Sequence, residues 1–579
     1  MANPIVSTVN AGSSMQIECT ESDASWQAPL RLRADRLRNK GVRLIAREPG
    51  EARSRVSDAT LTFSPRSHHG HSSAQNGPLN ILILPSVHKR PLGYRSVAKD
   101  KMDLIDQDLL FQVTPIEQIS PRGWPRYIFP FELAENYDLD EVTRILKDGW
   151  EATCRRIPVL KGEVLADPDG KQGGMVKIQL LDDKERLERI QPITVKDLRS
   201  PGAYPLTFAE LKEKHFPVSA FDPEVFTRRY TWPSPEDRLP IMLMQLNFIR
   251  GGLILNWNPF HMIGDGKTFF TWTAIWAEEC RRAQGLEISE PFELRQSIVS
   301  DRRHAISPRA PPSGKAGRLE DHPQYVLLTD PANQLAKVLK ADGHVGQIFY
   351  FSKESLEQLK RDASPKNPAP GEPPYISTND ALTALAWRSV MAAQYPPDKV
   401  KGDEVSVFNM AVDGRLRIQP PIDENTLGSF VEFIEVKMPL RKILDTSGNS
   451  VAEIASALRK AITSMNDDFQ GAFTNDVIQL INGLGDVRFL SPSAFLDCPG
   501  LCCSQTSWAK FELYGLRWGP ALGDRIRAIR SPSNGILNGM QIMMPELPDG
   551  GREMLCGINE EDLPRLMADP VWRKYAEAR

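Results

Sequence analysis

Apolar residues along this chain recur with two periods, and the places where the period switches outline its elements. Leu139 to Trp150 carries Leu139, Val142 and Ile145 or Leu146 on one side, as an amphipathic helix does. Leu160 to Val164 and Met175 to Leu181 alternate or run apolar, as strands do. Two further strands are predicted at Ile241–Phe248 and Leu253–Trp257, around the Gly251-Gly252 break. Thr268 to Ala283 returns to a helical period. A stretch rich in Pro, Gly and charge, from about Arg302 to His322, reads as a crossover. The mixed pattern then repeats. Ile348–Phe351 is strand-like, and Ser352 opens a helix running to about Ala363. Thr378-Asn379-Asp380 supplies capping side chains for a helix from Ala381 to about Ala393. Val405–Val412 reads as a strand, Val451–Met465 as a helix and Leu563–Ala578 as a closing helix.

Strands and helices alternating in both halves predict an α/β protein with two similar mixed-sheet domains. A length of 579 residues also exceeds what one core normally supports. The expected division is a poorly structured N-terminal tail over 1–78, a first domain over 79–301, a crossover over 302–345 and a second domain over 346–579. Ser, Arg, Ala and Gly dominate the tail, and Ser67-His68-His69-Gly70-His71 has no apolar period. Structure is expected to begin at the strand-like Leu79–Leu84.

A formal charge of −3 gives no reason to expect nucleic acid or an anionic membrane as partner. No run approaches 18 apolar residues, and Met1–Ser14 lacks a basic region followed by a hydrophobic one. A cytoplasmic enzyme with no membrane span is expected. The cysteines number seven, an odd count that argues against a disulfide framework. Cys498, Cys502 and Cys503 cluster without a second Cys/His pair at zinc-site spacing, so no metal is expected.

The chemistry concentrates at His261-Met262-Ile263-Gly264-Asp265-Gly266, between a strand and a helix. Loops at the mouth of a sheet commonly carry reacting groups. An imidazole titrates near neutrality, so one ring can take a proton from an alcohol and return it to a leaving group. Gly264 and Gly266 permit a compact turn. Asp265 can cap the following helix or pair with an arginine. A histidine in such a place can equally be a buried, hydrogen-bonded residue at a sheet edge, and six residues do not choose between the two.

The wider sequence does. The hexapeptide resembles the His-x-x-x-Asp-Gly signature of the plant and fungal CoA-dependent acyltransferases called the BAHD superfamily, with its nearest likeness in the fungal trichothecene O-acetyltransferase branch. Other segments agree in order: Met102–Gln107, Ser377–Leu382 with Trp387-Arg388, Val412–Arg417 with Pro420-Pro421, Leu427–Phe430, Ser507-Trp508 and Asp569–Trp572. Ser429 stands where the family's loop usually has asparagine. One motif departs. Where the family has Asp-Phe-Gly-Trp-Gly, this chain reads Tyr514-Gly515-Leu516-Arg517-Trp518-Gly519, and neither alignment of it retains the carboxylate.

The resemblance implies the chloramphenicol acetyltransferase-like acyltransferase fold, with a channel between two domains, and a monomer. It implies His261 as general base and Asp265 as a loop organiser, pairing with Arg415 or Arg417. Ser377, Thr378, Asp413, Arg415 and Trp518 become candidates for the coenzyme side, with the Trp518 indole also a candidate oxyanion donor. No cofactor is permanently bound; acetyl-CoA or another acyl-CoA is the co-substrate, and a small-molecule alcohol such as a terpenoid or polyketide is the acceptor. Transfer to a small amine, or a noncatalytic scaffold with the same shell, are the alternatives.

Overall fold

In the computed structural model, Met242–Ile249 and Gly252–Pro259 form an antiparallel hairpin, and every residue of both strands is buried. Residues 107–579 are described, apart from 235, 311–312, 331–342, 397, 447, 494–499 and 533–538, together with two short strands nearer the N-terminus. Burial on both faces of a strand requires cover on both sides of the sheet. On one side Leu253, Leu255 and Trp257 join the core formed with helices Leu139–Arg156 and Gly266–Ala283, including Trp150, Trp272 and Trp276. On the other, Ile254 meets Phe208, Phe221 and Phe226. Buried amides share that second face. Asn256 accepts from the Arg228 amide at 2.8 Å and donates to the Tyr127 carbonyl at 3.1 Å, while Asn247 donates to the Phe226 carbonyl at 3.0 Å. These amides fasten the overlying loops while pairing their own buried polar groups.

The sheet runs in the order Tyr127–Glu132, Gly252–Pro259, Met242–Ile249, Ile193–Asp197, the last pair parallel. The first of these strands contains Pro130 and lies at an edge of the named sheet, where a missing ladder donor is tolerated. A smaller sheet pairs Val176–Leu180, Gly162–Ala166 and Leu239–Pro240.

The C-terminal half builds a seven-stranded sheet in the order Val431–Pro439, Val405–Asp413, Cys502–Ser507, Met540–Glu546, Arg552–Asn559, His344–Phe351, Glu577–Ala578. Helices Lys353–Ala363, Thr378–Gln394 and Ser450–Asp468 contribute to one core with it. Side-chain alternation assigns the faces: Ile434 enters this core, whereas Val431 and Phe433 line a cavity. The expected helix Leu563–Ala578 is a misreading. It is two short helices, Leu563–Ala568 and Pro570–Arg573, ending in the Glu577–Ala578 strand, because Pro570 lacks the donor to continue the first.

Two compact units are distinguished, Met1–Asp100 and Lys101–Arg579. In the first, Arg43–Ile45 pairs antiparallel with Leu82–Leu84, the last three residues of the strand expected at 79–84. The rest of the expected tail over 1–78 lies outside the described residues.

Within Lys101–Arg579 the halves exchange segments. Ile116 packs in the C-terminal core, while Trp508, Leu513, Trp518 and Ile529 pack in the N-terminal one. Isolated bridges tie Ile128 to Arg530 and Phe131 to Ile526. The stretch expected as a crossover is also pinned. His322 is buried against Asp476 at 2.8 Å, and Tyr325–Leu327 pairs with Leu490–Pro492. At its start Arg302, 1% exposed, grips the fully buried Glu117 through two hydrogen bonds of 2.8 and 3.0 Å. The same guanidinium donates to the carbonyls of Leu109, Gln112 and Leu427. Removing one member of a buried pair strands the other charge. Arg302→Ala is expected to cost about 3–5 kcal/mol, read as a lowered urea midpoint; an unchanged midpoint would show that Glu117 finds another partner.

Candidate active site

His261 follows the last residues of Gly252–Pro259, where the chain reverses before helix Gly266–Ala283. Its amide donates to the Gly123 carbonyl at 2.8 Å, fixing the backbone under the ring. Nδ1 lies 3.1 Å from the Gly264 carbonyl oxygen. A carbonyl can only accept, so in the neutral ring Nδ1 carries the proton and Nε2 is left with a lone pair able to accept one. The Phe269 ring meets the imidazole nearly edge-on, centroids 5.4 Å apart. Burial pulls the His261 pKa below its ordinary value, against smaller opposing effects from backbone hydrogen bonding and the Asp265 charge. A neutral ring at pH 7 follows.

Asp265 faces away from that chemistry. It caps the helix by accepting from the Thr268 amide at 3.0 Å. It also accepts from Arg415 at 2.7 and 3.1 Å and from the Phe430 amide at 2.9 Å. Burial alone would raise its pKa, but the Arg415 guanidinium and the two amides hold it below the usual carboxylate value. Arg415 spends its remaining capacity on the Thr426 and Gly428 carbonyls, Thr268 Oγ1 and Asp413, and its guanidinium lies over the Phe430 ring at 4.5 Å. The pairing expected with Arg415 or Arg417 is with Arg415; Arg417 donates instead to the Asp413 carbonyl at 2.8 Å.

Segments far apart in sequence therefore converge. Thr268 Oγ1 donates to the Gly428 carbonyl at 2.8 Å and accepts from the Gly428 amide at 3.0 Å. The Ser429 amide donates to Glu117 at 3.2 Å, and Ser429 Oγ lies 3.0 Å from Ser120 Oγ. Gly428 has φ of 133°, and a Cβ there would meet Glu117 Oε1 at 2.8 Å, so the loop admits nothing larger. Gly264 and Gly266 stand in a turn that a bulkier residue would obstruct, as expected. Neither has a positive φ; a Cβ at Gly264 would lie 2.8 Å from the Phe269 ring, and one at Gly266 would lie 2.7 Å from the Phe511 ring.

A cavity of about 210 Å³ opens beside His261, walled by both halves. Ile116, Tyr127, Trp232 and Trp508 share its lining with Val431, Phe433 and Ile542. Polar contributions come from Ser120, Ser504, Thr506 and Arg126. No sequence signal separates these residues from core, since a cavity lined by apolar side chains uses the same residue types. Among the described residues no group of three or more His, Cys, Asp or Glu side chains could hold a metal ion.

The coenzyme-side candidates fall in different places. Ser377 caps helix Thr378–Gln394 in a reciprocal box with Asp380, at 3.1 and 2.7 Å, and Thr378 is the first residue of that helix. Asp413 is partly exposed and accepts from the Arg415 amide at 3.0 Å. Arg415 has every N–H engaged within the protein, so its assignment to the coenzyme is corrected to a structural one. Trp518 is corrected likewise. It is 1% exposed, wedged between Phe131 and Trp276 at 5.2 Å from each, and is absent from the cavity lining. Trp276 lies ten residues into the helix that begins at Gly266, roughly 15 Å along its axis from the end nearest His261, too far for the indole to reach a reacting carbonyl. The segment lacking the family's aspartate is held by other means. Gln284 donates to the Trp518 carbonyl at 2.7 Å and accepts from the Ala521 amide at 3.0 Å, and Arg517 pairs with Asp524.

Asp265→Asn removes the charge that Arg415 is buried against. The expected outcome is a loss of about 3–5 kcal/mol, visible as a lowered melting temperature. Retained stability with selective loss of turnover would assign the carboxylate to the reaction itself.

Comparison with known proteins identifies the family and the fold. The Transferase family matches residues 210–562, more than half of the chain, and the trichothecene 3-O-acetyltransferase-like N-terminal domain matches 126–271. Trichothecene 3-O-acetyltransferase TRI101 of Fusarium sporotrichioides is 26% identical over 82% of this chain and 96% of its own length. The enoyl-CoA isomerase/hydratase claC of Penicillium crustosum is 26% identical over 80% of this chain, which spans only 50% of that protein. The crystal structure of F. graminearum TRI101 with ethyl coenzyme A shares the fold, with a TM-score of 0.67 at 23% identity, covering 81% of this chain and 99% of that one. The chain belongs to the Transferase family, as a CoA-dependent acyltransferase of the BAHD superfamily related to the fungal trichothecene acetyltransferases.

Proposed function

We propose that this protein transfers an acetyl or other short acyl group from acyl-CoA to a hydroxyl of a small hydrophobic molecule, with His261 as the base. The observation that carries this reading is the His261 ring, tethered through Nδ1 to Gly264 and bordering an apolar cavity. The acceptor oxygen attacks the thioester carbonyl as its proton passes to Nε2. The tetrahedral intermediate then breaks its C–S bond, and the CoA thiolate takes the proton back from the imidazolium. No acyl-enzyme is needed, because one ring serves both transfers. Asp265 acts through position: its pair with Arg415 sets the turn that carries His261.

The apolar lining, relieved by a few hydroxyls and Arg126, suits a terpenoid or polyketide alcohol. We read the enzyme as a cytoplasmic monomer. Cys154, Cys280, Cys503 and Cys556 are buried thiols, which fits a reducing compartment, and one chain supplies both walls of the cavity. No described helix is long and apolar enough to cross a membrane.

His261→Ala is expected to lower acyl transfer by roughly 10²–10⁴-fold with folding retained, measured by thiol release against a panel of hydrophobic alcohols; equal activity in parent and variant removes His261 from the mechanism. The sign of the pH dependence follows from the lowered His261 pKa. The base works unprotonated, so kcat/KM stays level through pH 7 and declines only on the acid side of the ordinary histidine value. A midpoint above pH 7 in the rate profile would contradict a desolvated base.

A further inference from the structure

A second, much smaller cavity of about 20 Å³ adjoins the reaction cavity, and the two share Tyr127, Gly266 and Trp508 as walls. Phe269, Phe270 and Phe511 complete most of its lining. Space of that size holds about one water-sized group, which is the bulk of a methyl. Its position relative to the base is fixed by aromatic contacts. Phe269 touches the His261 imidazole at 5.4 Å between centroids, Tyr127 and Trp508 lie 4.8 Å apart, and Phe270 stacks on Phe511 at 5.9 Å. Gly266, next to the capping aspartate, sits where the two cavities meet, and even a Cβ there would press on Phe511 at 2.7 Å. The cage is thus built on the turn that presents the base.

We propose that this aromatic cavity seats the alkyl end of the acyl group while its carbonyl lies beside His261, and that Phe511 and Phe270 limit the donor to acyl groups of two or three carbons. This rests on the CoA-dependent reading above and adds the donor's length to it. The lining is mostly aromatic, completed by residues such as Thr273 and Leu513, so a chain longer than the free space meets the rings. Aromatic walls held by stacking against neighbours yield at an energetic cost. Acceptors use the larger cavity, and donor length is set by Phe270 and Phe511, which line only the smaller one.

The test is thiol release from acetyl-, butyryl- and hexanoyl-CoA, with and without a mixture of hydrophobic alcohols, for the parent, Phe511→Ala and Phe511→Leu. One methylene in a fitted pocket changes kcat/KM by about tenfold or more, so the parent is expected to prefer acetyl-CoA over hexanoyl-CoA by at least that factor. Both variants are expected to narrow the gap, chiefly by raising the hexanoyl rate. The leucine variant trims the ring while keeping the site filled, and thermal melting checks that each variant folds. Equal use of acetyl- and hexanoyl-CoA by the parent, or an unaltered ratio in the folded variants, overturns the proposal and leaves the acyltransferase reading standing. Failure of the parent to release thiol from any of the three donors, with alcohols present, overturns that reading and the proposal with it.

Discussion

The buried pair of Asp265 and Arg415 joins a turn at the mouth of one sheet to a loop beside the other, and the arrangement of the site depends on it. Two charges removed from water are costly unless each finds several partners. Here Asp265 has the Thr268 and Phe430 amides besides the guanidinium, and Arg415 has the carbonyls of Thr426 and Gly428. Those partners come from three stretches of chain, which can be satisfied together only in one mutual position. The desolvated pair therefore acts as a register device as well as a contact.

This arrangement divides labour between the two ionisable residues of the turn. The aspartate is committed to architecture, so the histidine need not share a proton with it. Its ring is oriented by a backbone carbonyl, which fixes the tautomer without bonding a full negative charge to the imidazole. Desolvation then keeps the imidazole neutral, the state in which it can accept a proton. A carboxylate bonded directly to the ring would oppose that effect by favouring imidazolium.

The Glu117–Arg302 pair repeats the strategy on the other side of the same loop. Glu117 receives the Ser429 amide, and Arg302 donates to the Leu427 carbonyl, so the loop between Leu427 and Phe430 is clamped from both flanks. Exchange of segments between the cores serves the same end, because Trp508 reaches the N-terminal core from a strand of the C-terminal sheet. The segment around Trp518 contributes at a distance: its indole secures the helix whose other end is capped by Asp265, by packing on Trp276.

Local periodicity was enough to read most central elements. The strands at 242–249, 252–259 and 405–413 and the helices at 139–156, 266–283 and 378–394 match the predicted runs to within a few residues at most ends. Strands such as Tyr127–Glu132 and Cys502–Ser507 escaped it, the first because Pro130 interrupts the pattern, the second because Cys, Ser, Gln and Thr give little apolar contrast. His261 was legible as the candidate base, since its chemistry and its place after a strand are both local properties. Which arginine Asp265 holds, which side chains crowd Gly264 and Gly266, and that Trp518 is core were not legible. Each depends on atoms brought close from distant parts of the chain, such as Phe511 against Gly266 or Trp276 against Trp518. A sequence carries the period and chemistry of its own neighbourhood; steric crowding and the pairing of buried charges exist only once the chain has closed on itself.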